Sequence, residues 1–251
     1  MAVFALADPH LSFGVPQKTM EAFGSLWKDY TDKIAENWRA KIGKNDLVLI
    51  PGDISWATHF EDALVDLRWI DQLPGTKVII RGNHDFWWPS ASKLKASLPP
   101  SIHFIQNNVF NWQGITIGGA RLWDTDEFNF HHFIHFQENT RTKKKSPEEF
   151  SLHVEESKKI FERELVRLEL SLKQLDPQAR VRIALTHYPP VSADMQPSRA
   201  SALLEKYQVQ IVVFGHLHNV KKDLPLFGEA RGIRYILSSC DYLDFNPLLI
   251  L

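Results

Sequence analysis

The sequence predicts an α/β protein whose strands form a largely parallel sheet. Two observations predict this. Short apolar runs alternate with longer amphipathic segments along the chain, which is the pattern of successive βαβ units. The apolar runs also end in polar clusters, and in open α/β sheets ligands bind outside the carboxyl ends of strands. The stretch "KVIIRGNHDFWW", 77–88, shows both features: a buried strand runs without a break into Arg81, Gly82, Asn83, His84 and Asp85.

In order, strands are expected at 3–7, 47–50, 78–80, 102–105, 115–118, 181–185, 211–214 and 233–237. Helices are expected near 18–40, 59–72, 90–97, 148–175 and 198–206. Segment 102–119, around "QNNVFNWQG", reads as two short strands in a hairpin with a long loop. The last long helix carries the plainest start signal: Ser146 as N-cap, Pro147 at the first position and Glu149 three residues past the cap. Phe161, Leu165, Leu168, Leu172 and Leu175 then form a stripe. It is too short for a coiled coil and predicts a helix docked on the sheet. Segment 140–145, "TRTKKK", reads as a solvated basic turn.

The chain has 251 residues, enough for a sizeable core. With 44% hydrophobic and 24% charged residues it belongs with globular proteins. No repeat or linker divides it, so 1–251 is expected to be a single domain. A formal net charge of −1 gives no global field for nucleic acid or an anionic membrane. Cys240 is the single cysteine, so no intramolecular disulfide forms. No stretch approaches the ~20 apolar residues of a membrane span, and the N-terminal run is short and interrupted by Asp8. A cytoplasmic, soluble protein is the expectation.

The chemistry lies at five strand ends. "VFALA" ends in Asp8-Pro9-His10, "LVLIP" in Gly52-Asp53, and "VIIR" in Gly82-Asn83-His84-Asp85. "RIALT" ends in His187 and "IVVF" in Gly215-His216-Leu217-His218. Asp53 and Asn83 are 30 residues apart and His187 and His216 are 29 apart, about one βαβ unit each. Neighbouring strands lie ~4.8 Å apart, so each pair is expected to converge. Strand alternation would further put Asp8 and His10 on one face, and His216 and His218 on another. Oxygen and nitrogen ligands without cysteine suit Mn, Fe, Zn, Co or Ni and exclude a thiolate zinc site. Asp8, His10, Asp53, Asn83, His187, His216 and His218 are too many for one ion. Two ions ~3.5–4 Å apart, sharing one carboxylate, account for them.

The ordered set D-P-H, G-D, G-N-H-D, H and G-H-L-H resembles the calcineurin-like metallophosphoesterases over most of the chain. The resemblance implies a four-layer αββα sandwich of two mixed sheets, with the metal site at the carboxyl ends of the strands. It implies that Asp8, His10 and His218 hold one metal, that Asn83, His187 and His216 hold the other, and that Asp53 bridges both. The cofactors would be two divalent ions, manganese foremost among Mn, Fe, Zn, Co and Ni. His84 would be the acid near the leaving group, with Asp85 orienting it. Arg81 would offer a forked donor to phosphoryl oxygens, or else a salt bridge under the sheet rim.

Charge counting agrees with an anionic substrate. Two divalent cations, two aspartates and a bridging hydroxide leave the centre near +1. The implied reaction is hydrolysis of a small phosphomonoester or phosphodiester by in-line attack of the metal-bridging hydroxide. A protein serine/threonine phosphatase is the alternative, although those enzymes have "GNHE" where this chain has "GNHD". A metal-bound scaffold without catalysis is a further one, opposed by the presence of every ligand and of His84. The expected partner is a phosphorylated small-molecule substrate, and nothing in the sequence indicates nucleic-acid binding.

Four further features are candidates of lower weight. The His131–His135 segment, with His132 between, reads as an aromatic and imidazole-rich lid or a plain packed loop. Trp87 and Trp88 either stack on a leaving group or fill the core. His59 reads as a first-turn helix residue or a substrate contact, and Arg121 as a phosphate contact.

Overall fold

The structure, a computed structural model, describes residues 1–135 and 147–251. The strands are β1 (Val3–Ala5), β2 (Leu47–Ile50), β3 (Thr76–Ile79), β4 (Ile102–Phe104), β5 (Phe110–Trp112), β6 (Ile115–Ala120), β7 (Val181–Thr186), β8 (Ile211–Phe214), β9 (Gly228–Ala230), β10 (Ile233–Leu237) and β11 (Leu248–Leu249). The helices are α1 (Tyr30–Lys41), α2 (Phe60–Asp71), α3 (Ala91–Ser97), α4 (Pro147–Leu172) and α5 (Arg199–Lys206).

Two sheets result. The first has the order β11-β1-β2-β3-β4 and the second β5-β6-β7-β8-β10-β9. β1 to β4 run parallel and β11 is antiparallel to β1. In the second sheet β6, β7, β8 and β10 are parallel, with β5 and β9 antiparallel at the edges. Both sheets are therefore mixed.

Period-two alternation builds four layers. In β2, Leu47 and Leu49 face the second sheet, while Val48 and Ile50 pack with Ile34 and Trp38 of α1 and Leu67 of α2. In β8, Ile211 and Val213 face the first sheet, and Val212 and Phe214 pack beneath Leu168 and Leu172 of α4 and Leu204 of α5. β2 and β8 are apolar at consecutive positions because each is covered on both sides. The α4 stripe docks on the sheet as expected: Phe161, Leu168 and Leu172 are buried.

Three local expectations are corrected. The 102–119 hairpin does not form, because β4 closes the edge of the first sheet while β6 lies in the second. The true hairpin is β5–β6, turning at Gln113 and Gly114, which both have positive φ. The helix expected from residue 18 begins only at Tyr30. Three short 3-10 turns precede it, broken at Gly24 (φ 127°) and Asp29 (φ 53°). Strand β1 stops at Ala5, and Ala7 makes only an isolated bridge to Ser239. The Ser146 cap and the 140–145 turn lie outside the described residues. Among the described residues, no helix is long and apolar enough to cross a membrane.

Candidate metal centre

All seven candidate ligands gather at the carboxyl ends of β1, β2 and β3 in one sheet and of β7 and β8 in the other. Ligand atoms of Asp8, His10 and His218 lie within 4.8 Å of one another, as do those of Asp8, Asp53 and His187. His10 Nε2 is 3.1 Å from His218 Nε2 and 3.6 Å from Asp53 Oδ2. The same Asp53 oxygen is 3.4 Å from His187 Nε2. Asn83 Oδ1 lies 2.7 Å from His187 Nε2 and 3.0 Å from His216 Nδ1.

The strand-alternation expectation for these residues is corrected. Asp8, His10, Asp53 and His216 lie beyond the strands and all have positive φ, at 56°, 43°, 49° and 70°. Non-glycine residues in this region cost ~1–3 kcal/mol each and cluster at functional sites. Backbone reversal, not pleating, aims these side chains inward. Two glycines make room for the carboxylates. A Cβ on Gly82 would sit 2.1 Å from Asp53 Oδ1, and one on Gly215 would sit 2.4 Å from Asp8 Oδ2. Gly82 is thus required for the close approach of Asp53.

Backbone and side-chain groups fix the ligands. His84 N–H donates to Asp53 Oδ1 at 2.8 Å, and His216 N–H to Asp8 Oδ2 at 2.9 Å. His187 Nδ1 lies 2.9 Å from the Pro51 carbonyl, and His218 Nδ1 lies 2.9 Å from Asp241 Oδ1. Each pairing engages Nδ1 and turns Nε2 toward the cluster, the orientation of metal-bound histidines. Tyr188 lies tilted over His216 at 3.9 Å between ring centroids, and Trp56 stacks on His10 at 4.8 Å.

The electrostatics show a site short of positive charge. Burial raises Asp8 to about 6 and lowers His10 to about 3. Burial would lower His187 as well, but the charge and hydrogen bond of Asp53 raise it to about 9. His218 is likewise depressed by burial yet raised to about 9 by Asp241. Burial opposes ionisation of Asp53, but the nearby histidines hold it below the usual carboxylate range. Asp8 Oδ1 and His10 Nδ1 are buried without a hydrogen-bond partner. Carboxylate oxygens and imidazole lone pairs facing one another fit divalent cations. Cys240 does not join them: its Sγ–H donates to the Asp8 carbonyl at 2.9 Å, and burial pushes its thiol far up.

The residues after Asn83 behave differently from the expectation. Asp85 does not orient His84. Its buried carboxylate accepts Gly82 N–H at 2.7 Å, Ile54 N–H at 2.9 Å, Ser55 N–H at 3.2 Å and Trp87 Nε1–H at 3.0 Å. Those donors saturate it and tie the loop after β2 to the loop after β3. His84 instead packs between aromatics, 4.5 Å from Trp56 and 6.2 Å from Phe86, with its ring 5.6 Å from that of His10. Burial, first among the causes, lowers its pKa. Arg81 is not brought into the ligand cluster. Its Nε–H donates to the Asp85 carbonyl at 3.2 Å, and its guanidinium lines a neighbouring cavity with Arg121.

Trp87 and Trp88 are core residues, and His59 is an exposed helix-start residue. His131 lines a cavity of about 530 Å³ that opens beside His216 and Tyr188. His135 N–H donates to the Asn219 carbonyl, which ties this segment to the loop after His218.

Asp241 was missed by the strand-end reading. The signal was present, since the β10 run "IRYIL" also ends in a polar cluster, Ser238-Ser239-Cys240-Asp241. Trp56 was also missed, because a loop tryptophan carries no positional pattern.

The profile of the calcineurin-like phosphoesterases matches residues 1–220, and the chain belongs to that family. With its two clusters of metal-ligand atoms, it is a metal-dependent phosphoesterase. A comparison with curated proteins gave no match. Among solved structures, it is similar to the protein of unknown function AQ665 from Aquifex aeolicus, at 16% identity and a TM-score of 0.47, covering 99% of this chain and 95% of that one. It is also similar to the protein TT1561 of Thermus thermophilus, at 11% identity and a TM-score of 0.49, covering 99% and 97%.

Proposed function

We propose that the chain hydrolyses a small phosphomonoester or phosphodiester at two divalent cations. One would be held by Asp8, His10 and His218, the other by Asn83, His187 and His216, with Asp53 between them. The observation that carries this reading is the position of Asp53 Oδ2, 3.6 Å from His10 Nε2 on one side and 3.4 Å from His187 Nε2 on the other. Asp8 cannot play that part through His187: it approaches Nδ1, at 3.6 Å, the nitrogen already turned to Pro51.

Two bound cations supply an acidified water and neutralise phosphoryl charge. The chain's own residues do the rest. Asn83 adds a neutral oxygen where another carboxylate would repel phosphate. The Asp241 and Pro51 contacts fix the imidazole tautomers. His84, half-buried beside His10 yet outside both ligand sets, is placed to hold a proton for the departing oxygen. Its aromatic neighbours Trp56 and Phe86 orient it.

The test is metal reconstitution. Chelation is expected to abolish hydrolysis of p-nitrophenyl phosphate and bis-p-nitrophenyl phosphate, and Mn to restore it with two ions per chain. Full activity at one ion per chain would remove the bridging role of Asp53.

A further inference from the structure

One strand beyond the metal centre, the ends of β3, β4 and β6 and the face of α4 enclose a second cavity. It is lined by Arg81, Gln106, Arg121, Glu164 and Arg167. Its volume, about 100 Å³, is well below the roughly 300–1,000 Å³ of sites for drug-sized molecules. Three guanidinium groups and one carboxylate are its charged lining.

Glu164 does not balance them. Arg121 Nη2 at 3.2 Å and Arg167 Nη1 at 2.7 Å both donate to the same oxygen, Oε1. Arg163 approaches that oxygen too, at 3.8 Å. Each guanidinium carries five N–H donors, and among the described residues each of the three lining arginines makes one hydrogen bond. The Arg121 side chain is only 10% exposed, and its Nε is buried without a partner. Trp123 holds its guanidinium from one face, 4.5 Å away. Three cations against one carboxylate, with Arg121 almost fully buried, call for an anion.

We propose that this cavity is a second anion-binding site, taking one phosphate- or sulfate-like group on Arg81, Arg121 and Arg167. The small volume suits a single tetrahedral oxyanion. The site is joined to the metal centre by backbone. Arg81 lies two residues before Asn83, and the Arg121 carbonyl accepts the N–H groups of His187 at 3.1 Å and Tyr188 at 3.0 Å. The group is either a second anionic substituent of the substrate, which rests on the phosphoesterase reading, or a free anion, which does not.

Inorganic sulfate titrated calorimetrically into the full chain in chelator tests the site without its metals. Saturable binding is expected. Arg167→Ala should weaken it about tenfold or more, the worth of one charge-assisted hydrogen bond. Glu164→Gln should tighten it by removing the competing charge, a direction that a loosened fold does not produce. Absence of binding, or equal affinity in all three proteins, would overturn the proposal. The source is then read from the Mn-loaded chain with alkanediol bisphosphates against alkyl monophosphates. A lower KM for bisphosphates, lost in Arg167→Ala, assigns the group to the substrate; equal KM with sulfate binding intact assigns the site to a free anion. Sulfate binding without turnover of either ester would leave this site standing and remove the proposed small-phosphoester substrate.

Discussion

Replacing Asp85 by Asn keeps the shape of a buried side chain and removes one of its acceptor ends. Three donors converge on Oδ1, from Ile54, Ser55 and Trp87, and Gly82 N–H takes Oδ2 at 2.7 Å. The best an asparagine can do is keep its oxygen on the first three. Its amide N–H₂ then meets Gly82 N–H, donor against donor. A buried group left unpaired costs ~1–3 kcal/mol, while the charge assistance lost from the other three bonds is offset by relief of the burial cost that raises this carboxyl's pKa. At ~2–4 °C per kcal/mol for a chain of this size, Tm should fall by roughly 2–12 °C. The assay is thermal unfolding followed by circular dichroism at pH 8 in chelator, so that metal affinity does not enter. The carboxyl, raised to about 6 by burial and by Asp53, is ionised there. Metal binding, measured separately, should weaken, because Asp85 holds the loops that carry Asp53 and Asn83. An unchanged Tm with an altered pH profile of kcat would refute this reasoning and return Asp85 to the role of orienting His84.

Asp241→Asn should weaken metal binding ~10–100-fold, the usual worth of a carboxylate behind a ligating histidine, measured by competition with a metal-binding dye; an unchanged affinity would remove Asp241 from the centre. His84→Ala should lose rate toward the ~10²–10⁴-fold range on alkyl esters and much less on p-nitrophenyl esters, with bound metal unchanged. Equal losses on both would mean that His84 acts on the phosphoryl oxygens or the nucleophile instead. Asp66 is buried under Ser55 and Phe13 N–H, and burial raises its carboxyl to about 6. The folded state therefore holds an extra proton between the unfolded value near 3.8 and about 6, and stability falls as pH rises through that window. Asp66→Asn, which keeps an acceptor for Phe13, should remove a loss on the order of 3 kcal/mol. Denaturant unfolding at pH 4 and pH 8 checks this, and a variant that tracks wild type at both values would refute it.

The parallel strand–helix alternation and the strand-end positions of the candidate ligands were legible in the sequence. Both rest on local signals: apolar runs long enough for a strand, and polar residues where the runs stop. Spacing near 30 residues also placed Asp53 beside Asn83 and His187 beside His216, because one βαβ unit returns the chain to the adjacent strand. The resemblance to a family supplied the second sheet, which periodicity alone does not distinguish from a continuation of the first. Only the tertiary structure decided which sheet takes each strand. β4 and β6 look like hairpin partners until their neighbours are seen, β3 for the one and β5 and β7 for the other. Only the tertiary structure, too, decided how the ligands point. Left-handed backbone at Asp8, His10, Asp53 and His216 is held by contacts between loops far apart in the chain, so no local pattern announces it. The same holds for Asp85 and Arg81. Their neighbours in sequence suggested roles beside His84 and phosphate. Their neighbours in space are four N–H donors for the one and an arginine-lined cavity for the other, because a side chain's chemistry is set by the groups that desolvate and pair with it.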